Sequence, residues 1–151
     1  MPDLVFHALA ALAAGLGAVC RLLLDGAISA TLARRAGRGG SLPWGTLAVN
    51  FSGSLLIGVV AGLLIGTGGE GSGPAQTGGF IGGVPVVDSW SLATSLGFLG
   101  GYTTFSTASY QTVRLLEERR WALALGNSLG QLMLTVGAAA LGWWIAASLV
   151  A

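Results

Sequence analysis

Apolar residues dominate this chain in long runs that are separated by short polar or glycine-rich stretches. A helix needs about 20 such residues to cross a hydrocarbon core that is about 30 Å thick. Four runs reach that length and predict spans at about residues 4–32, 44–65, 90–116 and 121–149. Tryptophan opens the last three runs, and its amphipathic ring is typical of the headgroup level. The pattern predicts an all-α integral membrane protein with one domain of four transmembrane helices.

The connection between the second and third spans, residues 66–89, is rich in glycine. Its portion from residue 80 to 87 is apolar, but it is too short and too rich in glycine and proline to cross a bilayer. We therefore expect a flexible loop outside the membrane.

The first run is longer than a straight span requires. At about 1.5 Å per residue it exceeds the hydrocarbon core, so it must tilt strongly or leave the membrane near Arg21. Arg21 and Asp25 are spaced i, i+4, which allows them to pair on one helix face. Such a pair fits either a snorkelling position at the interface or a role inside the assembly.

The composition agrees with a membrane protein and excludes several other classes. Hydrophobic residues make up 53% of the chain and charged residues only 9%, far from the averages of soluble domains. The few basic residues lie at helix ends rather than in a patch, so no nucleic-acid partner is expected. One cysteine, Cys20, excludes an internal disulfide. The only histidine, His7, has no ligand-spaced partners, and an enzymatic function has no support.

All basic residues are arginines, and they are distributed unevenly between the two sides that four spans define. Two turns on one side carry six arginines, and the termini and the glycine-rich loop on the other side carry none. The six are Arg34, Arg35, Arg38, Arg114, Arg119 and Arg120. The positive-inside rule predicts that these two turns face the cytoplasm.

Two sets of polar residues lie inside apolar runs with the spacing i, i+4, i+8, which places each set on one helix face. The sets are Thr46, Asn50, Ser54 and Asn127, Gln131, Thr135. Unsatisfied amides in hydrocarbon cost several kcal/mol, so these side chains must face protein or water. Packed helices often hydrogen-bond through such residues, but two stripes together favour a polar pathway.

The chemistry along this pathway favours an anion. The second and fourth spans contain no carboxylate, whereas proton relays and ion-coupled pumps normally need one. Amide and hydroxyl hydrogens are available instead, together with the positive ring edge of Phe105, which lies among threonines and serines. Gly100 and Gly101 free the backbone from helical geometry nearby. Carbonyls turned away from the helix axis there would suit a bound structural cation.

Several segments resemble the CrcB/Fluc family of fluoride channels. The most specific are PWGTLAVNFSGSLLIG, residues 43–58, and GFLGGYTTFSTAS, residues 97–109. GAVCR, which ends at Arg21, is similar to the first span of that family, and GNSLGQLMLTVGAAALG, residues 126–142, to its fourth. The long glycine-rich loop is atypical.

The resemblance implies a passive fluoride-selective channel of the bacterial plasma membrane, which lowers cytoplasmic fluoride and gives fluoride resistance. It implies a third helix broken at mid-membrane and an antiparallel, dual-topology dimer with two pores at its flanks. It also implies a structural Na⁺ at the dimer interface, held by the backbone carbonyls of Gly100 and Thr103.

Position by position, the resemblance assigns a fluoride pathway and one further residue. The pathway residues are Thr46, Asn50, Phe105, Ser106, Thr107, Asn127, Gln131 and Thr135. Arg21 matches a family arginine with a structural or vestibular role. Ala108 stands where the family usually has a second phenylalanine, and Asn and Gln stand in the fourth span where Tyr and Ser are usual.

Two questions stay open at this level. A subunit that inserts both ways round should have a weak charge bias, so the arginines favour a fixed orientation and a heterodimer with a homologous subunit of opposite orientation. The family precedent favours a homodimer. The alternative function is that of a small multidrug exporter, also built from four short helices, but that chemistry depends on a membrane-embedded glutamate. Here Glu70, Glu117 and Glu118 lie in loops or at span ends.

Overall fold

The computed structural model describes residues 2–36, 42–66, 80–81, 84–85 and 89–150. Within these ranges the chain forms five helices. They are α1 (Pro2–Ala36), α2 (Trp44–Gly66), α3 (Ser89–Tyr102), α4 (Phe105–Glu117) and α5 (Trp121–Val150). Three of them are long and apolar enough to cross a membrane, over Leu4–Leu32, Trp44–Leu63 and Trp121–Leu149. The protein is therefore a helical membrane protein.

Helix α1 continues without interruption through Arg21 and contains 35 residues. At about 1.5 Å per residue its length is about 52 Å, well beyond the thickness of a hydrocarbon core. Helices α3 and α4 contain 14 and 13 residues. Each is shorter than the roughly 20 residues that a span requires. They occupy the third apolar run and are separated by Thr103 and Thr104.

Part of the glycine-rich connection is more regular than the sequence indicated. Strands β1 (Phe80–Ile81) and β2 (Val84–Pro85) pair antiparallel, with Ile81 opposite Val84. Two glycines lie between the strands in the sequence, and such a pair is a common hairpin connection between β-prone residues. The rest of the predicted loop between α2 and α3 lies outside the described residues.

Small residues allow the helices to approach closely in two pairs, α2 with α5 and α1 with α3. A Cβ at Gly142 would collide with the backbone carbonyl of Leu55 on α2, and one at Gly101 would collide with that of Ala14 on α1. Packing between transmembrane helices depends on this kind of contact, because lipid leaves little hydrophobic drive for association. Glycines at contacts of this kind therefore allow the short distances between these helices.

A tight turn joins α4 to α5. Arg119 adopts a left-handed backbone with φ 57°. The N–H of Arg120 donates to the Leu115 carbonyl, and that of Arg119 donates to the Leu116 carbonyl, both at 2.9 Å. This pair of bonds is the Schellman motif that ends many helices, although glycine is the usual residue at the left-handed position.

The turn between α4 and α5, which carries arginines, lies at the end of the molecule where α2 begins. Thr46, near the start of α2, accepts a hydrogen bond from Gln111 in the middle of α4 at 2.7 Å. Asn50, one turn further along α2, binds Thr104 just before α4 begins. Helix α4 therefore runs toward the start of α2, and the turn that follows α4 lies at that end. This is the arrangement that the distribution of arginines along the sequence requires.

Candidate functional site

The backbone between α3 and α4 leaves the helical conformation at Thr104, which has φ −150° and ψ 122°. The Oγ1 atom of Thr104 accepts a hydrogen bond from the N–H of Thr107 at 3.3 Å. Threonine is a favoured residue at this N-cap position because its oxygen satisfies an N–H that the helix itself cannot pair. The sequence Thr-Thr-Phe thus ends one helix and begins the next.

Asn50 of α2 holds this break through both of its amide atoms. Its Oδ1 accepts the N–H of Thr104 at 2.8 Å, and its Nδ2 donates to the carbonyl of Thr104 at 2.9 Å. One side chain therefore satisfies both backbone polar groups of the same residue. Asn50 is buried, so these bonds replace helical hydrogen bonds where water has little access.

The same amide also reaches α5. The Nδ2 atom of Asn50 donates to Oε1 of Gln131 at 3.3 Å. Gln131 is buried as well, and its Nε2 has no hydrogen-bond partner among the residues that the structure describes. Asn50 therefore links the break to an amide whose donor end is unused.

The carbonyls of Gly100 and Thr103 lose the donors that a continuous helix would give them. The N–H of Thr104 would bond the Gly100 carbonyl but donates to Asn50. The N–H of Thr107 would bond the Thr103 carbonyl but donates to Thr104 Oγ1. Gly100 is exposed, with nothing within 4 Å of the place where a Cβ would stand. Carbonyl oxygens without N–H partners are ligands that a hard cation accepts, so these residues fit the sodium ion that the resemblance implies.

A cavity of about 540 Å³ lies beside the break. It brings together five of the residues that the sequence assigned to the pathway or the cation site: Asn50, Thr103, Phe105, Gln131 and Thr135. The remaining residues around it add hydroxyls or apolar surface: Ser54, Ile57, Thr104, Ala108, Ser109, Thr112, Val113, Ser128 and Leu132. None of its lining residues carries a formal charge.

Thr46 lies outside this lining, in a second polar cluster. Its side chain is 1% exposed, and its hydroxyl donates to Oδ2 of Asp25 at 2.9 Å. The hydroxyl oxygen of Thr46 also accepts a hydrogen bond from Nε2 of Gln111 at 2.7 Å. Asp25 also accepts a hydrogen bond from Ser29 at 3.2 Å. The cluster ties together α1, α2 and α4.

The prediction that Arg21 and Asp25 could pair is wrong for this structure. Among the contacts of the described residues no hydrogen bond or ion pair joins them. Arg21 donates through Nη1 to Thr107 Oγ1 on α4 at 3.3 Å, whereas Asp25 binds Thr46 on α2. The spacing i, i+4 brings two side chains near each other, but hydrogen-bond partners on neighbouring helices draw them in different directions.

The other predicted residues make contacts of their own. Asn127 is buried and donates to Thr112 Oγ1 at 2.8 Å and to the Ala108 carbonyl at 3.4 Å, which joins α5 to α4. The hydroxyl of Thr135 donates to the Gln131 carbonyl of its own helix at 2.7 Å. Ser106 is exposed with its hydroxyl 3.1 Å from that of Thr104, and Phe105 is 87% exposed.

The sequence did not single out Gln111 and Thr112, although both make inter-helix hydrogen bonds. A usable signal existed in the residues that follow the break. They begin a new helix at Phe105, and Ala108 and Leu115 on it are buried. Gln111 and Thr112 fall between those two residues on the same face, so polar side chains there must meet other polar groups.

Comparison with known proteins gives a family for this arrangement. The family described as "CrcB-like protein, Camphor Resistance (CrcB)" matches residues 8–143. A protein named Fluoride-specific ion channel FluC 1 from Leifsonia xyli subsp. xyli is 40% identical over 141 residues, which cover 93% of this chain and 86% of the relative. A FluC 1 from Thermobifida fusca is 39% identical, with 87% of this chain and 91% of the relative covered. A FluC 2 from Mycobacterium bovis is 36% identical, with 87% and 83% covered. The chain belongs to the CrcB family.

Proposed function

We propose that this protein is a fluoride-selective passive channel of the bacterial plasma membrane. The observation that carries the proposal is an uncharged, donor-lined cavity at a helix break in a chain whose relatives are named fluoride-specific ion channels. Hydrogen fluoride enters a cell as the neutral acid and ionises inside. The membrane potential, worth about 2.3 kcal/mol per charge per 100 mV, then drives the anion outward without energy coupling.

Uncharged donors suit conduction of such an ion. Dehydration of a small anion costs on the order of 20 kcal/mol in the ideal limit. Amide and hydroxyl hydrogens return part of that energy without holding the ion as tightly as a fixed positive charge would, and conduction requires that the ion leave again. The lining of the cavity, which has hydroxyls and amides and no formal charge, meets that need.

We further propose that α3 and α4 together form one membrane span interrupted at its middle, and that two subunits pair antiparallel. Each helix alone is too short to cross. Non-helical backbone at membrane depth is tolerated only where protein or water covers it. A second subunit over the break would supply that cover and would also contact Phe105, which is 87% exposed in the single chain.

The carbonyls of Gly100 and Thr103 would hold a structural Na⁺ between the two subunits. A bound cation supplies a fixed positive charge that ties two breaks together. In this chain the side chains of Asn50 and Thr104 leave these carbonyls free, because they accept the two N–H groups that would otherwise bond to them.

The partner is a second copy of this chain or a homologous subunit of opposite orientation. Two features support the second: six arginines lie in the two turns of one side, and Ala108 leaves one aromatic position of each pore unfilled. The alternative function of a multidrug exporter has less support. Glu117 and Glu118, the glutamates that the structure describes, are both exposed at the end of α4.

The test is fluoride efflux from liposomes that contain the purified chain, with any partner subunit that it requires. We expect rapid dissipation of a fluoride gradient and little movement of chloride. Asn50→Ala should slow the efflux at least about tenfold, the effect of losing hydrogen bonds worth about 1.5 kcal/mol or more. Ser148→Ala on α5, an exposed serine bonded to its own helix, is the control. Proton-coupled uptake of cationic drugs without fluoride efflux would contradict the proposal.

A further inference from the structure

We infer that Tyr102 is a positioning residue for the proposed cation site. Its hydroxyl fastens the last turn of α3 to Ser52 of α2. That turn carries the Gly100 carbonyl and leads directly into the Thr103 carbonyl. The inference rests on the sodium site proposed above and concerns two side chains that would not touch the ion themselves. Neither of them belongs to the residues that the sequence assigned to the pathway or to the cation.

The hydrogen bond between the two side chains has only one possible direction. The Oγ atom of Ser52 lies 3.1 Å from the Val49 carbonyl of its own helix, and its single hydrogen is donated there because a carbonyl can only accept. The hydroxyl oxygens of Ser52 and Tyr102 lie 2.9 Å apart. Tyr102 therefore donates and Ser52 accepts. Both hydroxyls then have a protein partner, which an apolar membrane interior requires.

The ring of Tyr102 has little freedom to move. Tyr102 is 8% exposed, and its ring stacks on that of Phe98, with centroids 6.0 Å apart and planes 13° apart. On the side of α2 the ring lies close to Gly53, where an added Cβ would be 3.0 Å from its Cδ1 atom. The bond to Ser52 therefore holds the backbone of the last turn rather than the end of a mobile side chain.

Helix α2 thus attaches to the chain on both sides of the Thr103 carbonyl. After that carbonyl, Asn50 binds the backbone N–H and C=O of Thr104. Before it, the hydroxyl of Tyr102 is bound to α2. The attachment through Asn50 lies beyond the end of α3, so it fixes the break but not the turn that precedes it. The attachment through Tyr102 fixes that turn.

The last turn of α3 is rigid enough to pass the position of Tyr102 on to Gly100. It stays helical as far as Thr103, whose N–H donates to the Leu99 carbonyl at 2.9 Å. The Thr103 hydroxyl donates to the same carbonyl at 3.0 Å. Gly100 is exposed and has nothing within 4 Å of the place where a Cβ would stand. Its carbonyl therefore points where the rest of the turn directs it, and the bond from Tyr102 to α2 sets that direction.

The test is the dependence of thermal stability on Na⁺, measured on the purified protein in detergent with any partner subunit that it requires. Choline replaces Na⁺ at constant ionic strength. An ion that binds only the folded protein raises the melting temperature, and the rise begins near its dissociation constant. Tyr102→Phe removes one oxygen atom and keeps the ring. We expect it to raise the dissociation constant of Na⁺ about three- to fifteenfold, the range found for hydrogen bonds between membrane helices.

Tyr110→Phe is the matched control. It removes the same atom from the other tyrosine of the chain, which lies on α4 and is 67% exposed. The dissociation constant of Na⁺ should not change in this variant. Ser52→Ala removes the acceptor and should weaken Na⁺ binding as Tyr102→Phe does. The variant with both changes should bind Na⁺ no more weakly than Ser52→Ala alone, because the two changes remove the same bond.

A purely structural role of Tyr102 gives a different result. Tyr102→Phe then lowers the melting temperature equally with and without Na⁺, and the dissociation constant stays the same, which overturns the inference and leaves the sodium site in place. Additive losses of Na⁺ affinity in the double variant also overturn it. If Na⁺ does not stabilise the unmodified protein, the sodium site falls and this inference falls with it. Fluoride efflux from liposomes, measured separately, still decides the proposed channel function.

Discussion

Asn50 and Thr46 occupy successive turns of α2, yet their side chains do different work. Asn50 binds the backbone of Thr104 at the break and the side chain of Gln131 on α5. Thr46 uses its single hydroxyl twice, as a donor to Asp25 and as an acceptor from Gln111. Each residue joins three helices. One polar stripe on α2 therefore organises both polar regions of the molecule.

Thr46 should contribute to stability through its hydroxyl. Thr46→Val keeps the volume but removes the hydroxyl that accepts from the Gln111 amide and donates to the Asp25 carboxylate, which then keeps only its bond from Ser29. We expect a loss of about 1–3 kcal/mol in the free energy of unfolding. Thr46→Ser keeps the hydroxyl and removes one methyl group, which costs about 0.8 kcal/mol. Thermal unfolding in detergent measures both, and a valine variant at least as stable as the serine variant would contradict the cluster as described.

At this scale the sequence predicted burial better than partnership. The spacing i, i+4, i+8 required protein or water around six polar residues. The structure buries four of them, Thr46, Asn50, Asn127 and Gln131, and leaves Ser54 and Thr135 half-buried. The sequence could not predict that Arg21 and Asp25 bind different partners instead of each other. The spacing describes positions on one helix, whereas the choice of partner depends on where Thr107 and Thr46 lie on other helices. That information is not local to any segment of the chain.

At the scale of elements, glycines decide which helices pack together. Gly142 on α5 meets the carbonyl of Leu55 on α2, while Gly137, five residues earlier on the same helix, has nothing within 4 Å of its missing side chain. The two positions have the same residue type and the same helix, but only one of them lies against a backbone. A comparison of the two positions therefore distinguishes the effect of helix packing from the low helix propensity of glycine.

Gly142→Ala and Gly137→Ala therefore form a matched pair. The first forces α2 and α5 apart, and we expect a loss of about 1–3 kcal/mol in stability, typical of overpacking. The second adds a methyl group in open space and removes a helix-unfavourable glycine, so stability should stay the same or rise by up to about 1 kcal/mol. Thermal unfolding of both proteins in detergent is the measurement. Equal losses would show that helix propensity or lipid contact, rather than the approach to Leu55, governs both sites.

The elements themselves differ in how well the sequence predicts them. Helices α2 and α5 begin at Trp44 and Trp121, the tryptophans that open two apolar runs. The end of α3 and the start of α4 were indicated by paired glycines and a run of hydroxyl residues. The strands β1 and β2 were not expected, because strands of two residues are too short to show the alternation of apolar and polar positions that predicts a strand. A long apolar segment is enough by itself to predict a helix, whereas two very short strands can be predicted only from the turn that joins them.

At the scale of the whole molecule, charge and shape make different demands on assembly. The exposed ring of Phe105, the uncovered break and the open Gly100 all favour a second subunit. An antiparallel homodimer needs equal insertion in both directions. Arginine-rich turns are retained on the cytoplasmic side, so the arginines at one end of the molecule oppose equal insertion. They include Arg34, Arg114, Arg119 and Arg120. A heterodimer meets both demands.

A reporter fused to the C-terminus tests the orientation directly. With both arginine-bearing turns in the cytoplasm, the C-terminus of α5 lies outside it, so a reporter active only outside the cytoplasm should give signal and one that fluoresces only inside should not. Replacing Arg114, Arg119 and Arg120 by glutamine halves the bias and should raise the fraction of inverted protein. Equal signals from the two reporters on the unmodified chain would show dual insertion and favour the homodimer. For the proposed antiparallel pair, a one-sided result requires an oppositely oriented relative, because such a pair cannot form from subunits that all face the same way.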